Sequence, residues 1–406
     1  MHSGVSIVEK CRACGTPLPQ ENVFSLGDMP VVSFPETPDA EQLISPIELV
    51  ECSFCTLVQL RHSVDPDLMF RNYWYRSGVT ESMKVALKDV VEGAQKFVKL
   101  EAGDTVCDIG SNDGTLLSYY PEGIERLGFE PSDVPVLHEG MMIVREFFSK
   151  DNCPPCLQGK FKIVTAISMF YDLNDPGQFL EDVKWALAPD GIFVVQMNYL
   201  VSMLMNLAMD NIEHEHVAYY SAWAFQKLCD AHGMGIVAMV ENDVNGGSIR
   251  FYVKPSSKTP TSLTPFIVEE EIGGAAWDNF NAALLNMKGK VLGYIVKCIR
   301  QEKRLGICGA STRGLALLHY LGLDSKTFSC ASERDPAKHG RFYGATGIPI
   351  VSEEEARKRC DVMMILPYHF EKEIVAREKD FLTAFGELIV PLPNSKVVRR
   401  FGETFL

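Results

Sequence analysis

No stretch of this 406-residue sequence is apolar for long enough to span a bilayer. Residues Met1 to Lys10 lack the apolar centre of a secretion signal, so a cytoplasmic location is expected. Basic residues are in deficit: 39 Lys and Arg face 53 Asp and Glu, giving a formal charge of −14. That balance disfavours a nucleic-acid partner, and any anionic ligand must be met by a few local cations or by helix N-termini. Solenoid repeats and low-complexity tracts are absent too. What remains is ordinary globular composition, 46% apolar and 23% charged, with enough chain for two or three cores. The sequence is silent on oligomeric state, and a monomer is compatible with it.

The chain does hold 12 cysteines. Cys11-Arg-Ala-Cys14 and Cys52-Ser-Phe-Cys55 are two CxxC turns separated by one loop. Each turn offers two thiolates, and four thiolates close a tetrahedral Zn²⁺ shell without a place for water. In a reducing compartment this reads as structural zinc, stapling a segment with a thin core. Cys153-Pro-Pro-Cys156 has prolines between its cysteines and no partner pair, and reads as a loop.

From residue 79 onward strands and helices alternate. Helical spacing covers 79–100, with Thr80 and Ser82 as caps. Strands are expected at 105–109, 126–130, 162–167 and 191–197, with helices near 114–120, 132–138 and 176–188. This is the pattern of a parallel sheet covered on both faces. Helix in two pieces follows over 200–234, then two strands over 235–254 joined at Asn245-Gly246-Gly247. Residues 255–265 read as a linker and 266–304 as a long helix. A second α/β pattern then begins, with strands at 304–308, 328–332, 361–366 and 387–390.

The string Val106-Cys107-Asp108-Ile109-Gly110-Ser111-Asn112-Asp113-Gly114 runs from strand through a glycine turn into a helix. Gly110 lets the backbone approach a ligand. The spacing departs from GxGxxG, and Asp108 and Asp113 place carboxylates near the turn. Carboxylates suit a sulfonium and ammonium ligand and repel a pyrophosphate, so the turn favours S-adenosylmethionine over NAD. Glu130, about 20 positions past the first glycine, is placed to hold ribose hydroxyls. Ser168 and Met169, after the third strand, border the adenine; Met169 reads equally well as plain core.

These segments, with Ala188-Pro189-Asp190-Gly191 opening the next strand, resemble the class I methyltransferase pattern. The full chain is similar to the zinc-containing sugar C-methyltransferases that act on nucleotide-linked 4-keto-deoxy sugars. The resemblance rests on CRAC…CSFC, Tyr73-Trp74-Tyr75-Arg76-Ser77, DIGSNDGTLL, GFEPS, Glu213-His214-Glu215-His216 and Asn245-Gly246-Gly247-Ser248-Ile249-Arg250. It implies an α/β protein in three parts: an N-terminal four-cysteine zinc-binding segment (1–70), a class I methyltransferase Rossmann-like domain (71–254), and a second Rossmann-like domain (255–406) that helps bind substrate.

The resemblance also implies methyl transfer to a carbon beside a ketone, with His216 as base and Glu215 and His214 beside it. It places Tyr73 and Tyr75 at the sugar, Tyr75 within the catalytic set. Asn198, Tyr199, Tyr220, Arg250 and Arg341 are the remaining candidate contacts to substrate. The HxH pair could instead hold a metal, or the stretch could be a solvated turn. Three departures separate it from the sugar enzymes: Glu213 stands where tyrosine is common, Gln196 and Asn198 where glutamate and histidine are, and Ile167-Ser168 replace an asparagine-rich stretch. Finally, Gly306–Gly314 is a second glycine turn after a strand, with Glu333 and Asp335 as candidate ribose acids. On its own it would point to an NAD-linked oxidoreductase.

Overall fold

The computed structural model describes residues 4–71, 76–255, 258–260, 263 and 274–406. The N-terminal part holds β1 (Val5–Ile7), β2 (Phe24–Pro30), β3 (Ile44–Glu51), β4 (Val58–Leu60) and β5 (His62–Val64). In β3 the residues Ser45, Ile47 and Leu49 are buried while Ile44, Pro46 and Glu48 are less so, the period-2 signature of a half-buried strand. β2, β3 and β4 form an antiparallel sheet, and β1 pairs with β5.

The middle of the chain supplies β6 (Thr105–Ile109), β7 (Glu125–Phe129), β8 (Met142–Val144), β9 (Phe161–Ile167), β10 (Leu187–Asn198), β11 (Ala218–Tyr219), β12 (Met234–Asn242) and β13 (Ser248–Pro255). Seven of these make one sheet in the order β12-β13-β10-β9-β6-β7-β8. The five strands from β8 to β10 run parallel, and β13 is antiparallel to both of its neighbours. The chain reverses its direction of travel across the sheet between β6 and β9, which opens a crevice at their carboxyl ends.

The expected helix at 132–138 does not form. Pro131 and Pro135 interrupt it, and the Arg145 guanidinium takes the carbonyls of Ser132 and Val134 at 2.7 and 2.9 Å, groups a helix would use internally. The expected helix at 79–100 is shorter, Glu81–Ala94, and Thr80 makes no side-chain cap.

The C-terminal part holds β14 (Leu305–Cys308), β15 (Ala331–Glu333), β16 (Ile350–Ser352), β17 (Val362–Ile365), β18 (Glu387–Val390), β19 (Lys396–Arg399) and β20 (Gly402–Phe405). Their order is β16-β15-β14-β17-β18-β19-β20, parallel through β18 and antiparallel beyond it. The helix Gly274–Arg300 presents Trp277, Phe280, Leu284, Met287 and Val291 at helical spacing to the core.

The N-terminal sheet is not a free-standing module. Its residues Phe24, Ile47 and Leu60 share one apolar cluster with Met209 and Ile212 and with the C-terminal sheet. β11, far along the chain, adds itself to β4 as the edge strand of that sheet. The cysteine turns pack instead with Phe170, Tyr220 and Phe225 under the central sheet. Among the described residues no helix is long and apolar enough to cross a membrane.

Candidate active site and metal centre

Cys11, Cys14, Cys52 and Cys55 bring their Sγ atoms within 4.8 Å of one another. Cys11 to Cys55 and Cys14 to Cys52 are each 3.5 Å apart. Four thiolates at ~2.3 Å from a shared Zn²⁺ stand ~3.8 Å from each other, so the set fits that ion. Arg12, inside the first turn, donates to the Leu60 carbonyl at 2.7 Å and to Ser63 Oγ at 2.6 Å, tying the turn to the strands it staples. Cys153 and Cys156 take no part in the cluster.

A cavity of about 470 Å³ lies at the carboxyl ends of the central strands. Gly110, Asn112, Glu130, Ser168 and Met169 all line it. Gly110 has φ +71°, and a Cβ there would meet Met169 Cγ at 3.2 Å, so glycine keeps this wall thin. Glu130 accepts from the backbone N–H of Asn112 (2.8 Å) and of Ser132 (3.0 Å), which fixes its carboxylate at the end of β7.

Asp108 and Asp113 correct the sequence-based expectation, because neither lines the cavity. Asp113 is fully buried and accepts from Gly78 N–H at 2.7 Å and Thr115 Oγ at 2.6 Å, so it anchors the 77–79 turn. Asp108 points into the sheet, where Thr165 Oγ donates to it at 2.6 Å. Burial pushes its carboxyl up to about 7. Unfolded, the group titrates near 3.8. Between these values the folded chain keeps a proton the unfolded chain has lost, so stability falls as pH rises across that window. Asp108→Asn removes this dependence. Relative to the parent, the variant gains on the order of 1 kcal/mol per pH unit between pH 4 and 7, then levels off. Urea unfolding at pH 5 and 7.5 measures this; a difference independent of pH would show that Asp108 is ionised throughout.

The acidic lining comes from elsewhere. Asp172, Glu213 and Glu215 face the cavity together with Tyr171, Asn198 and His216. Burial pushes the Asp172 and Glu213 carboxyls well above the usual range, and Glu215 adds repulsion to both. The four residues 213–216 form a bend, neither helix nor strand, and the two histidines part. His214 turns away from the cavity, with Nε2 2.9 Å from the Ser45 carbonyl in β3. That position corrects its place in the catalytic set and removes the HxH metal reading. His216 stays at the cavity, with Nδ1 2.7 Å from the Asn211 carbonyl and the Tyr171 ring edge-on at 4.4 Å. Burial pushes its imidazole down to about 3.

Of the expected substrate contacts, Asn198 lines the cavity. Tyr199 and Tyr220 are fully buried away from it, Tyr220 among Phe170 and Phe225. Arg250 is engaged by Asp89 (2.9 Å) and Gln196 (2.9 Å). Arg341 reaches the N-terminal segment, at the Phe34 carbonyl (3.0 Å) and Glu36 (3.2 Å). Each is held by partners that the linear spacing does not reveal. Tyr73 and Tyr75 lie outside the described residues.

Spacing also left unmarked the cation at this cavity. Arg313, on the C-terminal glycine turn, lines it and pairs with the buried Asp210 at 2.9 Å. His369 Nε2 is 2.9 Å from the same carboxylate, and the Tyr368 hydroxyl donates to it. Burial would raise the Asp210 carboxyl, but Arg313 and His369 hold it well below the usual range. The same turn is tightly packed. Gly309, at φ +89°, lies so near Pro367 that a Cβ would approach it to 2.7 Å, and Tyr343 donates to the Ser311 carbonyl. Of the two candidate ribose acids, Glu333 is taken by Lys338 at 3.2 Å, and Asp335 accepts from the Ala337 N–H at 3.0 Å. The NAD-linked reading is thereby not favoured.

Family models match three consecutive stretches: a zinc binding domain over 11–70, a methyltransferase domain over 81–238 and a C-methyltransferase C-terminal domain over 243–393. The chain is a zinc-binding, S-adenosylmethionine-dependent C-methyltransferase. The C-methyltransferase NovU of Streptomyces niveus is 28% identical to it over 423 aligned positions, covering 98% of this chain and 99% of NovU. Among solved structures, a methyltransferase from Aquifex aeolicus is 18% identical over 42% of this chain and 91% of its own, with a TM-score of 0.33. The plantazolicin methyltransferase BpumL is 12% identical over 42% and 84%, at 0.35. In this methyltransferase the four cysteines, inside the stretch matched by the zinc binding domain, are the set that fits the ion.

Proposed function

We propose that this C-methyltransferase methylates the carbon beside the ketone of a nucleotide-linked 4-keto-deoxy sugar, in a deoxysugar pathway of the cytoplasm. One observation carries the reading: the His216 imidazole opens onto the same cavity as Gly110, Glu130, Ser168 and Met169. A base and a cofactor wall in one cavity are what carbon methylation needs, because a proton must leave the carbon where the methyl arrives. S-adenosylmethionine, when bound, supplies the methyl group.

The chain's own residues divide the remaining work. The Asn211 carbonyl only accepts, so His216 carries its proton on Nδ1 and keeps the Nε2 lone pair for the acceptor's C–H. Arg313 supplies the positive charge that an enolate oxygen requires, and Asp210 fixes its direction. Asn198 donates to Asn211 Oδ1 at 2.8 Å, which leaves its own buried oxygen without a protein partner at the cavity, open to an acceptor hydroxyl. Gly110, Asn112, Ser168 and Glu130 bind the cofactor in this reading.

His216→Ala is expected to lower turnover by ~10²–10⁴-fold while cofactor affinity stays within a few-fold. The assay supplies methyl-labelled cofactor and a panel of keto-sugar nucleotides, and NMR locates the label. Label on no sugar carbon, or full turnover by the variant, would overturn the reading.

A further inference from the structure

The environment of His216 sets it a difficulty as a base. Burial disfavours its cation, and its Nδ1 is already committed to the Asn211 carbonyl. A proton taken from carbon therefore needs somewhere else to go. Glu213 is the group in place to receive it. Its carboxylate Oε1 is 3.4 Å from His216 Nε2, while its Oε2 is buried without a hydrogen-bond partner. Both residues line the cavity. Hydrogen bonds of this kind are often long before substrate arrives.

We propose that Glu213 takes the acceptor's proton from His216, so that deprotonation is a two-residue relay rather than the work of one imidazole. The proposal rests on the reading of a keto acceptor given above. The acceptor's C–H bond breaks and its electron pair stays on the substrate as an enolate. The proton passes to Nε2, and from Nε2 to the Glu213 carboxylate. The relay ends with neutral imidazole and neutral carboxylic acid, and the proton then leaves to water. No co-reactant beyond S-adenosylmethionine is required. Glu213 acts through His216 and is a positioning residue in this scheme.

The resting pair has two states. With the carboxyl protonated, its hydrogen points at Nε2 and the lone pair is masked. Once that proton is lost, the lone pair is available and the carboxylate waits behind it. The groups facing Glu213 are Asp210, Glu215 and Tyr219 on its own segment, Tyr171 and Asp172 from the turn after β9, and Arg313 and Tyr343 from the C-terminal part. Burial and the carboxylates among them favour the masked state, and Arg313 opposes it. A cationic cofactor in the same cavity favours the open one.

Two measurements test the relay. First, the ¹⁵N shift of His216 Nε2 in the whole protein with bound S-adenosylmethionine should move between pH 5 and 9, and in Glu213→Gln it should stay constant. A constant shift in the parent would overturn the relay whatever the acceptor is. Second, kcat/KM on the keto-sugar nucleotide should rise with pH in the parent. In Glu213→Gln it should be flat and ~10²-fold lower through kcat, with KM little changed, and Glu213→Asp should restore the rise. Parent-like rates and pH profile in Glu213→Gln would also overturn the relay. Should the shift move while no keto-sugar nucleotide is turned over, the relay pair stands and the acceptor assignment fails.

Discussion

Replacing Arg313 by alanine is expected to cost ~3–5 kcal/mol of stability, the usual penalty of leaving a buried charge without its partner. Asp210 is 1% exposed, and burial works against its ionised form. Its countercharge comes from a turn more than 100 positions along the chain, together with Tyr368 and His369. Removing the guanidinium leaves the carboxylate in a low-dielectric site, where it must either protonate or pull away from the C-terminal part. Asp210→Leu combined with Arg313→Met should therefore lose less than Arg313→Ala does, since no orphaned charge remains. The exposed i,i+4 pair Lys358–Glu354 is the control, and Lys358→Ala should leave stability nearly unchanged. Urea unfolding reads all three. An Arg313→Ala loss no larger than that of the control would mean that Asp210 is not charged in the fold.

The second large effect concerns zinc. Chelation, or Cys52→Ser, is expected to remove most of the stability of the N-terminal sheet, since structural zinc sites contribute ~10 kcal/mol or more in small domains. The loss should not stop at residue 70. β11 pairs with β4, and the Leu60 N–H donates to the Val217 carbonyl at 2.9 Å, one residue past His216. Hydrogen exchange should accordingly rise over both 44–64 and 212–220 in the metal-free protein, while β6 and β7 keep their protection. Turnover should fall with the 212–220 segment, and cofactor affinity should hold. Unchanged exchange at 212–220 would show that the zinc segment and the candidate base are uncoupled.

The parts legible in the sequence are those set by local chemistry. Two CxxC pairs announce a four-thiolate cluster whatever the fold around them, because each turn by itself brings two sulfurs to one ion. Alternating apolar strands and helices announce the parallel sheet, and Gly110 and Glu130 fall at the ends of β6 and β7 because strand length and turn chemistry are local matters. The helix expected at 132–138 fails for a reason that is partly local, its prolines, and partly not: Arg145 claims the carbonyls a helix would need.

Of the acids that spacing points to, Glu130 lines the cavity, but Asp108 and Asp113 do not. A carboxylate at the end of a strand points to one face or the other, and the pleat that decides between them is set by the neighbouring strand. For Asp108 that neighbour is Thr165 in β9. Among the acids that reach the cavity, Asp172 ends a single 3-10 turn, and Glu213 and Glu215 stand on irregular backbone whose course no periodicity describes.

The sequence by itself determined most of the parallel strands and their order, the thiolate set and the glycine turn, since each depends on residues a few positions apart. Only the tertiary structure decided which charges meet. Asp210 with Arg313, Arg250 with Asp89, and β11 with β4 join residues separated by 100 positions or more. Pairing at that distance is selected by how whole layers pack, and packing is a property of the assembled core rather than of any one segment.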